Sequence, residues 1–240
     1  MKKHRIALAG NPNTGKSTLF NTLTGLKQHT GNWTGKTVLK AEGEYEHHGN
    51  LYTVIDLPGT YSLYSNSADE EVARDYIIFE KPDVTVVVVD ATAMERNLNL
   101  ALQVMEMTKE VIICVNLIDE AEKKGILIDE KKLAKSLGVP VVKISARNKF
   151  GIDQLLNKIE KVANRKLIPT PFQITYNEKI EKMIQELEPQ IYKMFGDTYP
   201  TRWIALRMLD GDKNFLESLQ KHHEEPLVRE VVMNGISFNQ

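Results

Sequence analysis

Short apolar runs alternate with longer amphipathic segments along the first 165 residues of the chain. The apolar runs are rich in Val and Ile and mostly lack a regular alternation with polar residues, which is typical of strands buried on both faces. Six strands are predicted: Arg5–Ala9, Val38–Tyr45, Leu51–Asp56, Val84–Asp90, Val111–Asn116 and Val141–Ile144. Five helices are predicted among them: Lys16–Thr24, Asp69–Glu80, Asn97–Thr108, Asp129–Leu137 and Ile152–Arg165. This order predicts an α/β fold with a doubly wound, mostly parallel six-stranded sheet.

One pair of predicted strands differs from the others. Only five residues separate Val38–Tyr45 from Leu51–Asp56, whereas a parallel connection needs a dozen or more residues and usually a helix. The pair is therefore expected to form an antiparallel hairpin. His47 and His48 lie in this connection. Because neighbouring residues of a strand point to opposite faces, we interpret them as a solvated hairpin tip rather than a pair of metal ligands.

The pattern changes near residue 166. Pro169 and Pro171 cannot lie inside a helix, so they mark a linker. Beyond them, apolar residues recur at helical spacing, and Pro189 is expected to kink or split the first helix. The predicted helices are Tyr176–Met194, Arg202–Leu209, Asn214–Lys221 and Pro226–Met233. We predict an α/β domain over residues 1–166 and a small all-α domain over residues 167–240.

Composition narrows the class of protein. Hydrophobic residues make up 42% and charged residues 26% of the chain, which excludes a disordered protein. The 31 Lys and Arg against 32 Asp and Glu leave a formal charge of −1, which argues against a broad cationic surface for nucleic acid. The single cysteine, Cys114, excludes a disulfide framework and is expected to be buried. The most apolar segment, Val84–Val89, is far shorter than the ~20 residues that span a bilayer, so a soluble chain in a reducing compartment is expected.

A glycine-rich loop follows the first predicted strand and opens the first predicted helix. It fits the pattern G-x-x-x-x-G-K-[ST] in the strand–loop–helix context that this phosphate-binding motif requires. Its backbone amides and the helix N-terminus can cradle phosphates. Lys16 is expected to reach the β- and γ-phosphates, and the Ser17 hydroxyl to coordinate Mg²⁺. The predicted phosphate-binding residues are Gly10, Asn11, Pro12, Asn13, Thr14, Gly15, Lys16, Ser17 and Thr18.

Three later segments end predicted strands, at the edge of the sheet where α/β proteins bind ligands. The Asp56 carboxylate is placed to hold the Mg²⁺ shell, and the Gly59 amide can meet a γ-phosphate. The Asp119 carboxylate can accept both the N1–H and the 2-amino hydrogens of guanine, whereas adenine would leave it unpaired at a cost of about 1–3 kcal/mol. Backbone amides of the third segment can face the guanine O6. The residues concerned are Asp56, Leu57, Pro58, Gly59, Asn116, Leu117, Ile118, Asp119, Ser145, Ala146 and Arg147.

Together with Thr37, these segments resemble those of the translation-factor-type GTPases. Stretches at residues 31–38, 56–62, 72–76, 89–98 and 202–211 narrow the resemblance to the ferrous iron transport protein B family, FeoB. The resemblance covers nearly the whole chain. It implies a GTP-hydrolysing G domain and a helical domain at the cytoplasmic face of the cell membrane, placed before a polytopic region that takes up ferrous iron. The chain is then expected to be the soluble front part of a longer membrane protein.

The resemblance also assigns roles in the first switch segment. It implies that Thr37 gives Mg²⁺ a second hydroxyl ligand beside Ser17 and Asp56, and that Gly35 belongs to the nucleotide-binding residues. Thr60 and Tyr61 stand where a catalytic glutamine region often begins. Because neither side chain orients water as glutamine does, intrinsic hydrolysis is expected to be slow.

A potassium ion is implied to fill the role of an arginine finger. Its expected ligands are the Asn13 side chain and the backbone carbonyls of Gly31 and Trp33. The chain departs from the commoner family pattern at Thr34 and Lys36. The Lys36 ammonium is therefore a rival source of positive charge at the same place.

Two other functions stay open from the sequence. One is a soluble translation-factor-type GTPase acting in ribosome assembly or RNA modification, but residues 170–240 carry 8 basic and 11 acidic residues, whereas an RNA-docking module should be basic. The other is a pseudoenzyme that holds nucleotide only as a structural ligand, which the intact Lys16, Ser17, Thr37 and Asp56 oppose. The predicted partners are a guanine nucleotide and a transmembrane iron-transport region, without nucleic acid, and a homo-oligomer is left open.

Overall fold

The β-sheet of the computed structural model is built from the Val- and Ile-rich runs of the sequence. The structure describes residues 1–25, 28–64 and 67–222. Within them the strands are β1 (Lys3–Gly10), β2 (Gln28–Asn32), β3 (Leu39–His47), β4 (Asn50–Asp56), β5 (Val84–Asp90), β6 (Val111–Asn116) and β7 (Val141–Lys143). They form one sheet in the order β2-β3-β4-β1-β5-β6-β7. The strands β4, β1, β5, β6 and β7 run parallel, which confirms the predicted doubly wound fold.

The predicted antiparallel hairpin is present as β3 and β4. The sheet has seven strands rather than the six predicted, because β2 adds to the far side of β3 in antiparallel register. This strand reads Gln-His-Thr-Gly-Asn, and four of its five residues are exposed. Because this edge strand contains no apolar residues, the hydrophobic pattern of the sequence does not predict it.

The helices of the first unit flank this sheet. They are α1 (Lys16–Thr24), α2 (Ala68–Asp75) continued by a π-helical turn at Tyr76–Glu80, α3 (Met94–Met107), α4 (Ile118–Lys123), α5 (Glu130–Leu137) and α6 (Ile152–Ala163). Helix α4 was not predicted, because six residues are too few to show a helical period. Cys114 is fully buried in β6, as predicted, and burial raises the pKa of its thiol. That thiol is therefore a packing residue and not a nucleophile.

The chain divides into two compact units, of which the first is Met1–Phe172 and the second begins at Gln173. The boundary predicted at residue 166 stays a prediction. The second unit contains α7 (Glu178–Phe195), a 3₁₀ turn at Gly196–Thr198, α8 (Thr201–Asp210) and α9 (Lys213–His222). The predicted helix Pro226–Met233 lies outside the described residues.

Helix α7 continues through Pro189 and is not split there. Pro189 is exposed, whereas Ile184, Leu187 and Ile191 are buried on the other face of the helix. Burial of that face holds the helix together although proline removes one backbone hydrogen bond. Across residues 1–25, 28–64 and 67–222, none of the helices combines the length and hydropathy needed to cross a bilayer.

Candidate nucleotide-binding site

The segments singled out in the sequence meet at the carboxyl edge of the parallel strands. β1 ends at Gly10, β4 at Asp56 and β6 at Asn116, and the segment beginning at Ser145 follows β7. β4 pairs directly with β1, and β6 with β7. Because parallel strands end at a common edge, one ligand can contact all four segments.

The glycine-rich loop is held tightly against the end of β6. Gly15 has a φ of +78°, and a β-carbon on it would lie 2.4 Å from the Asn116 side-chain nitrogen. The Thr14 hydroxyl closes the loop by donating to the Asn11 carbonyl at 3.0 Å. Helix α1 then begins at Lys16, and no described side chain caps its first-turn amides. These amides are therefore free to bind an anion.

Lys16 and Asp56 form a buried ion pair between the loop and the end of β4. The Lys16 ammonium donates to the Asp56 carboxylate and, at 2.6 Å, to the Leu57 carbonyl. A lysine ammonium has three N–H donors, so one remains for a phosphate oxygen. The backbone amide of Thr60 donates to the Gly10 carbonyl at 3.3 Å, which ties the segment after Asp56 to the loop.

The oxygen ligands expected for Mg²⁺ are in part assembled. The Ser17 hydroxyl lies 3.4 Å from the second oxygen of Asp56, and a hydroxyl with a carboxylate oxygen is a donor set that suits Mg²⁺. Thr37 is exposed in the turn after Trp33, and among the described residues no hydrogen bond joins it to Ser17 or Asp56. The structure thus brings two of the three predicted ligands together, and within the described residues Thr37 is not hydrogen-bonded to either of them.

The Asn116 side chain does not face solvent; it links the glycine-rich loop to the segment after β7. Its side-chain nitrogen donates to the Thr14 carbonyl at 2.9 Å, and its oxygen accepts from the Ala146 amide at 3.0 Å. The side chain is buried. It therefore acts as a bracket that fixes the glycine-rich loop and the segment after β7 in one frame.

Asp119 lies in the first turn of α4, two residues after Leu117, whose backbone is left-handed at φ +62°. One carboxylate oxygen accepts from the Asn148 side chain at 3.1 Å. The other oxygen, Oδ1, is buried and has no hydrogen-bond partner among the described residues. A buried carboxylate oxygen without a donor is costly, so this atom indicates a place where a ligand N–H belongs.

Sequence reasoning did not identify Asn148. It is exposed in the turn after Arg147, where no motif marks it. Its role depends on a contact between two loops, and a linear pattern does not show such a contact.

The predicted amides at the end of β7 are largely engaged within the protein. Ser145 exchanges both backbone hydrogen bonds with Phe150 at 3.1 Å, and the Ala146 amide donates to Asn116. Among the described residues, only the Arg147 amide of this segment is left for the guanine O6. The prediction that backbone amides of this segment face the guanine O6 therefore rests on Arg147, because the turn and the Asn116 bracket use the other two amides.

The first switch segment has a defined conformation. Gly31 lies inside β2, opposite Lys40 of β3. In the turn that follows, the Trp33 carbonyl accepts a hydrogen bond from the Lys36 amide at 3.0 Å. Gly35 is exposed in this turn, with a φ of +70°. The Lys36 ammonium pairs with the Glu71 carboxylate of α2. Asn13 is exposed at φ +66°, and its side chain makes no hydrogen bond within the described part of the chain. The carbonyls of Gly31 and Trp33 thus belong to a paired strand and its turn.

Comparison with known proteins identifies relatives over both units. The family model described as "Ferrous iron transport protein B" matches residues 4–159, and the one described as "FeoB cytosolic helical domain" matches residues 176–234. An Fe(2+) transporter FeoB from Methanocaldococcus jannaschii is 48% identical over 225 residues, which cover 92% of this chain and 33% of that protein. The chain thus spans about a third of the length of this curated relative.

Solved structures are similar over almost the full chain. The cytosolic domain of the T. maritima FeoB iron transporter in a GDP form has a TM-score of 0.83 at 37% identity, covering 99% of this chain and 98% of that one. The same domain in a GMPPNP form has a TM-score of 0.82 at 37% identity, with the same coverage. The first family model matches well over half of the chain, and the fold agrees. The predicted resemblance is confirmed: this chain belongs to the ferrous iron transport protein B family.

Proposed function

We propose that this chain binds GTP and GDP, hydrolyses GTP to GDP and phosphate, and acts as a switch that regulates membrane ferrous iron uptake. The longer M. jannaschii relative is named an Fe(2+) transporter, and the T. maritima domain was solved in forms named for GDP and GMPPNP. A transmembrane region following this chain in the longer protein would place it at the cytoplasmic face of the cell membrane. The alternative in ribosome assembly or RNA modification has no support, since both matching models are FeoB models.

The observation that carries the guanine assignment is the unpaired Asp119 Oδ1. Asn148 holds the other oxygen, so the carboxylate cannot simply turn away from the base. Guanine offers an N1–H and a 2-amino group on one edge, and both can donate to a carboxylate. Adenine offers no such pair and would leave the buried oxygen unsatisfied.

The residues around the phosphates would position the nucleotide and neutralise its negative charge. Lys16 and the first amides of α1 would bind the phosphates, and Ser17, Asp56 and Thr37 would hold Mg²⁺, which neutralises charge on the β- and γ-oxygens when bound. Water attacks the γ-phosphorus and the bond from that phosphorus to the bridging oxygen breaks, so that GDP leaves. Thr37 would join Ser17 and Asp56 when a γ-phosphate orders the first switch segment, which is the behaviour expected of a switch.

We further propose that K⁺ accelerates hydrolysis from a site formed by Asn13 and first-switch carbonyls at Gly31 and Trp33. Two features support this proposal. The Asn13 side chain is exposed and uncommitted to other described residues, and Lys36, the rival cation, is already paired with Glu71. Thr60 is buried, and the Tyr61 ring packs against the Arg96 guanidinium at 4.3 Å, so neither side chain replaces a catalytic glutamine.

Asp119→Asn is expected to weaken GDP binding by roughly 5- to 150-fold, which corresponds to about 1–3 kcal/mol. The amide presents a donor as well as an acceptor, which suits the 2-carbonyl of xanthine, so XDP is expected to bind the variant better than GDP does. Isothermal titration with GDP and XDP measures both effects. Asp197→Asn removes an exposed carboxylate of the second unit and serves as a charge-matched control. Unchanged GDP affinity in Asp119→Asn would refute the guanine assignment.

A further inference from the structure

The tip of the β3–β4 hairpin lies against α6 and forms a cluster of potential metal ligands. His47, His48 and Glu160 each offer one ligand atom, and these atoms all lie within 4.8 Å of one another. We propose that these three residues bind a divalent transition-metal ion. The cluster lies at the start of β4, whereas Asp56 and the nucleotide-binding residues lie at its opposite end. The inference therefore does not rest on the proposed GTPase function.

The hairpin turn brings both imidazoles to one side. β3 ends at His47 and β4 begins at Asn50, so the turn is His48-Gly49, and both residues have positive φ values of 47° and 73°. Two left-handed residues are typical of a tight hairpin turn that reverses the chain. The ring centroids of His47 and His48 lie 3.9 Å apart. The expectation that these side chains point to opposite faces is wrong, because His48 belongs to the turn and not to the strand.

Helix α6 supplies the carboxylate and a further polar contact. A Glu160 oxygen lies 2.8 Å from Nδ1 of His48, and the Asn157 side-chain oxygen, one turn earlier, lies 3.2 Å from Nε2 of His47. Asn157 restrains the His47 ring, as partners outside the ligand set commonly do in metal sites.

The donor set selects the class of ion. Two imidazole nitrogens and one carboxylate oxygen suit Zn²⁺, Fe²⁺, Co²⁺ and Ni²⁺, whereas Mg²⁺ and Ca²⁺ prefer sites made of oxygen atoms. Bonds of about 2.1 Å in a tetrahedral site place ligand atoms about 3.4 Å apart. The ligand atoms must therefore rearrange: the 2.8 Å contact between Glu160 and Nδ1 of His48 has to widen, and any pair farther apart than about 3.4 Å has to come closer. The His48 side chain, which is 60% exposed, has room to rotate. Three protein ligands leave at least one position for water or for an exchangeable ligand.

Titration of the full chain, prepared without a histidine tag, tests this site with Zn²⁺ by calorimetry and with Co²⁺ by visible absorption. One tight site per chain is expected, with Co²⁺ bands that depend on the imidazoles. His48→Ala and Glu160→Gln are each expected to weaken binding at least tenfold, on the scale of losses seen when metal-site residues are removed. His222→Ala, on α9, is the matched control and should bind as the unchanged chain does.

GDP affinity checks that each variant is folded, because the cluster lies at the far edge of the sheet from Asp119. It should stay the same in His48→Ala and Glu160→Gln. Zn²⁺ binding that is equally tight in both variants and in the unchanged chain would overturn the proposal. An unchanged chain that binds neither Zn²⁺ nor Co²⁺ would overturn it as well.

Discussion

Lys16→Ala is expected to remove most of the affinity for both GDP and GTP. The side chain is nearly buried between the glycine-rich loop and β4, where its ammonium donates to Asp56 and Leu57. Its loss removes the positive charge nearest to the phosphates and leaves the Asp56 carboxylate without its partner. Removing one member of a buried charge pair costs about 2–5 kcal/mol, or roughly 30-fold to several thousandfold in affinity. Isothermal titration with each nucleotide measures this loss.

Thr37→Ala is the contrasting variant for the same site. Thr37 is exposed and makes no hydrogen bond to Ser17 or Asp56 among the described residues, so GDP affinity should be unchanged, whereas GTP hydrolysis should fall. The difference follows because the first switch segment meets Mg²⁺ chiefly when a γ-phosphate is present. Equal weakening of GDP and GTP by Thr37→Ala would contradict the assignment of this segment as a switch. Unchanged nucleotide affinity in Lys16→Ala would contradict the phosphate site itself.

GTP turnover is expected to rise at least tenfold when K⁺ replaces Na⁺. Thr60 and Tyr61 offer no catalytic glutamine, so charge that develops between the β- and γ-phosphates needs another partner. Removing one donor that stabilises such charge costs enzymes about 10²–10³ in rate, and a K⁺ ion held by Asn13 supplies charge of this kind. The smaller Na⁺ should fit the same oxygen ligands poorly. Steady-state phosphate release in KCl and NaCl at equal ionic strength measures the ratio.

Two variants separate K⁺ from its rival. Asn13→Ala should abolish the difference between the salts while nucleotide affinity stays close to that of the unchanged chain. Lys36→Ala should keep the difference, because the Lys36 ammonium is engaged by Glu71 of α2. Equal rates in both salts for the unchanged chain, together with a collapse of activity in Lys36→Ala, would assign the role to the lysine instead.

The parallel core of the sheet could be predicted because its strands are buried on both faces. β5 and β6 read almost entirely as Val and Ile, and such runs are distinctive. The edge strand β2 could not be predicted, because its residues are polar and its position depends on pairing with β3. Helix α4 is too short to show a period. The burial of apolar side chains and the length of the element thus decide which elements a hydrophobic pattern can identify.

The candidate site was predictable where a motif fixes the backbone and not where two loops meet. The glycine-rich loop, Asp56 and Asp119 lie at the sheet edge that their order along the chain implied. Asn148 and the bracket formed by Asn116 depend on contacts between segments 29 and 102 residues apart. The clustering of His47 with His48 depends on a left-handed turn. Such contacts form only in the folded chain, and no regular spacing of residues in the sequence indicates them.

Affinity for guanine against adenine nucleotides tests the proposed function most directly. Isothermal titration of the unchanged chain with GDP, GTP and ATP in the presence of Mg²⁺ compares bases on a common phosphate site. Because only guanine satisfies the buried Asp119 oxygen, GDP and GTP are expected to bind at least tenfold more tightly than ATP. Equal affinity for ATP and GTP would contradict the assignment of this chain as a guanine-nucleotide switch.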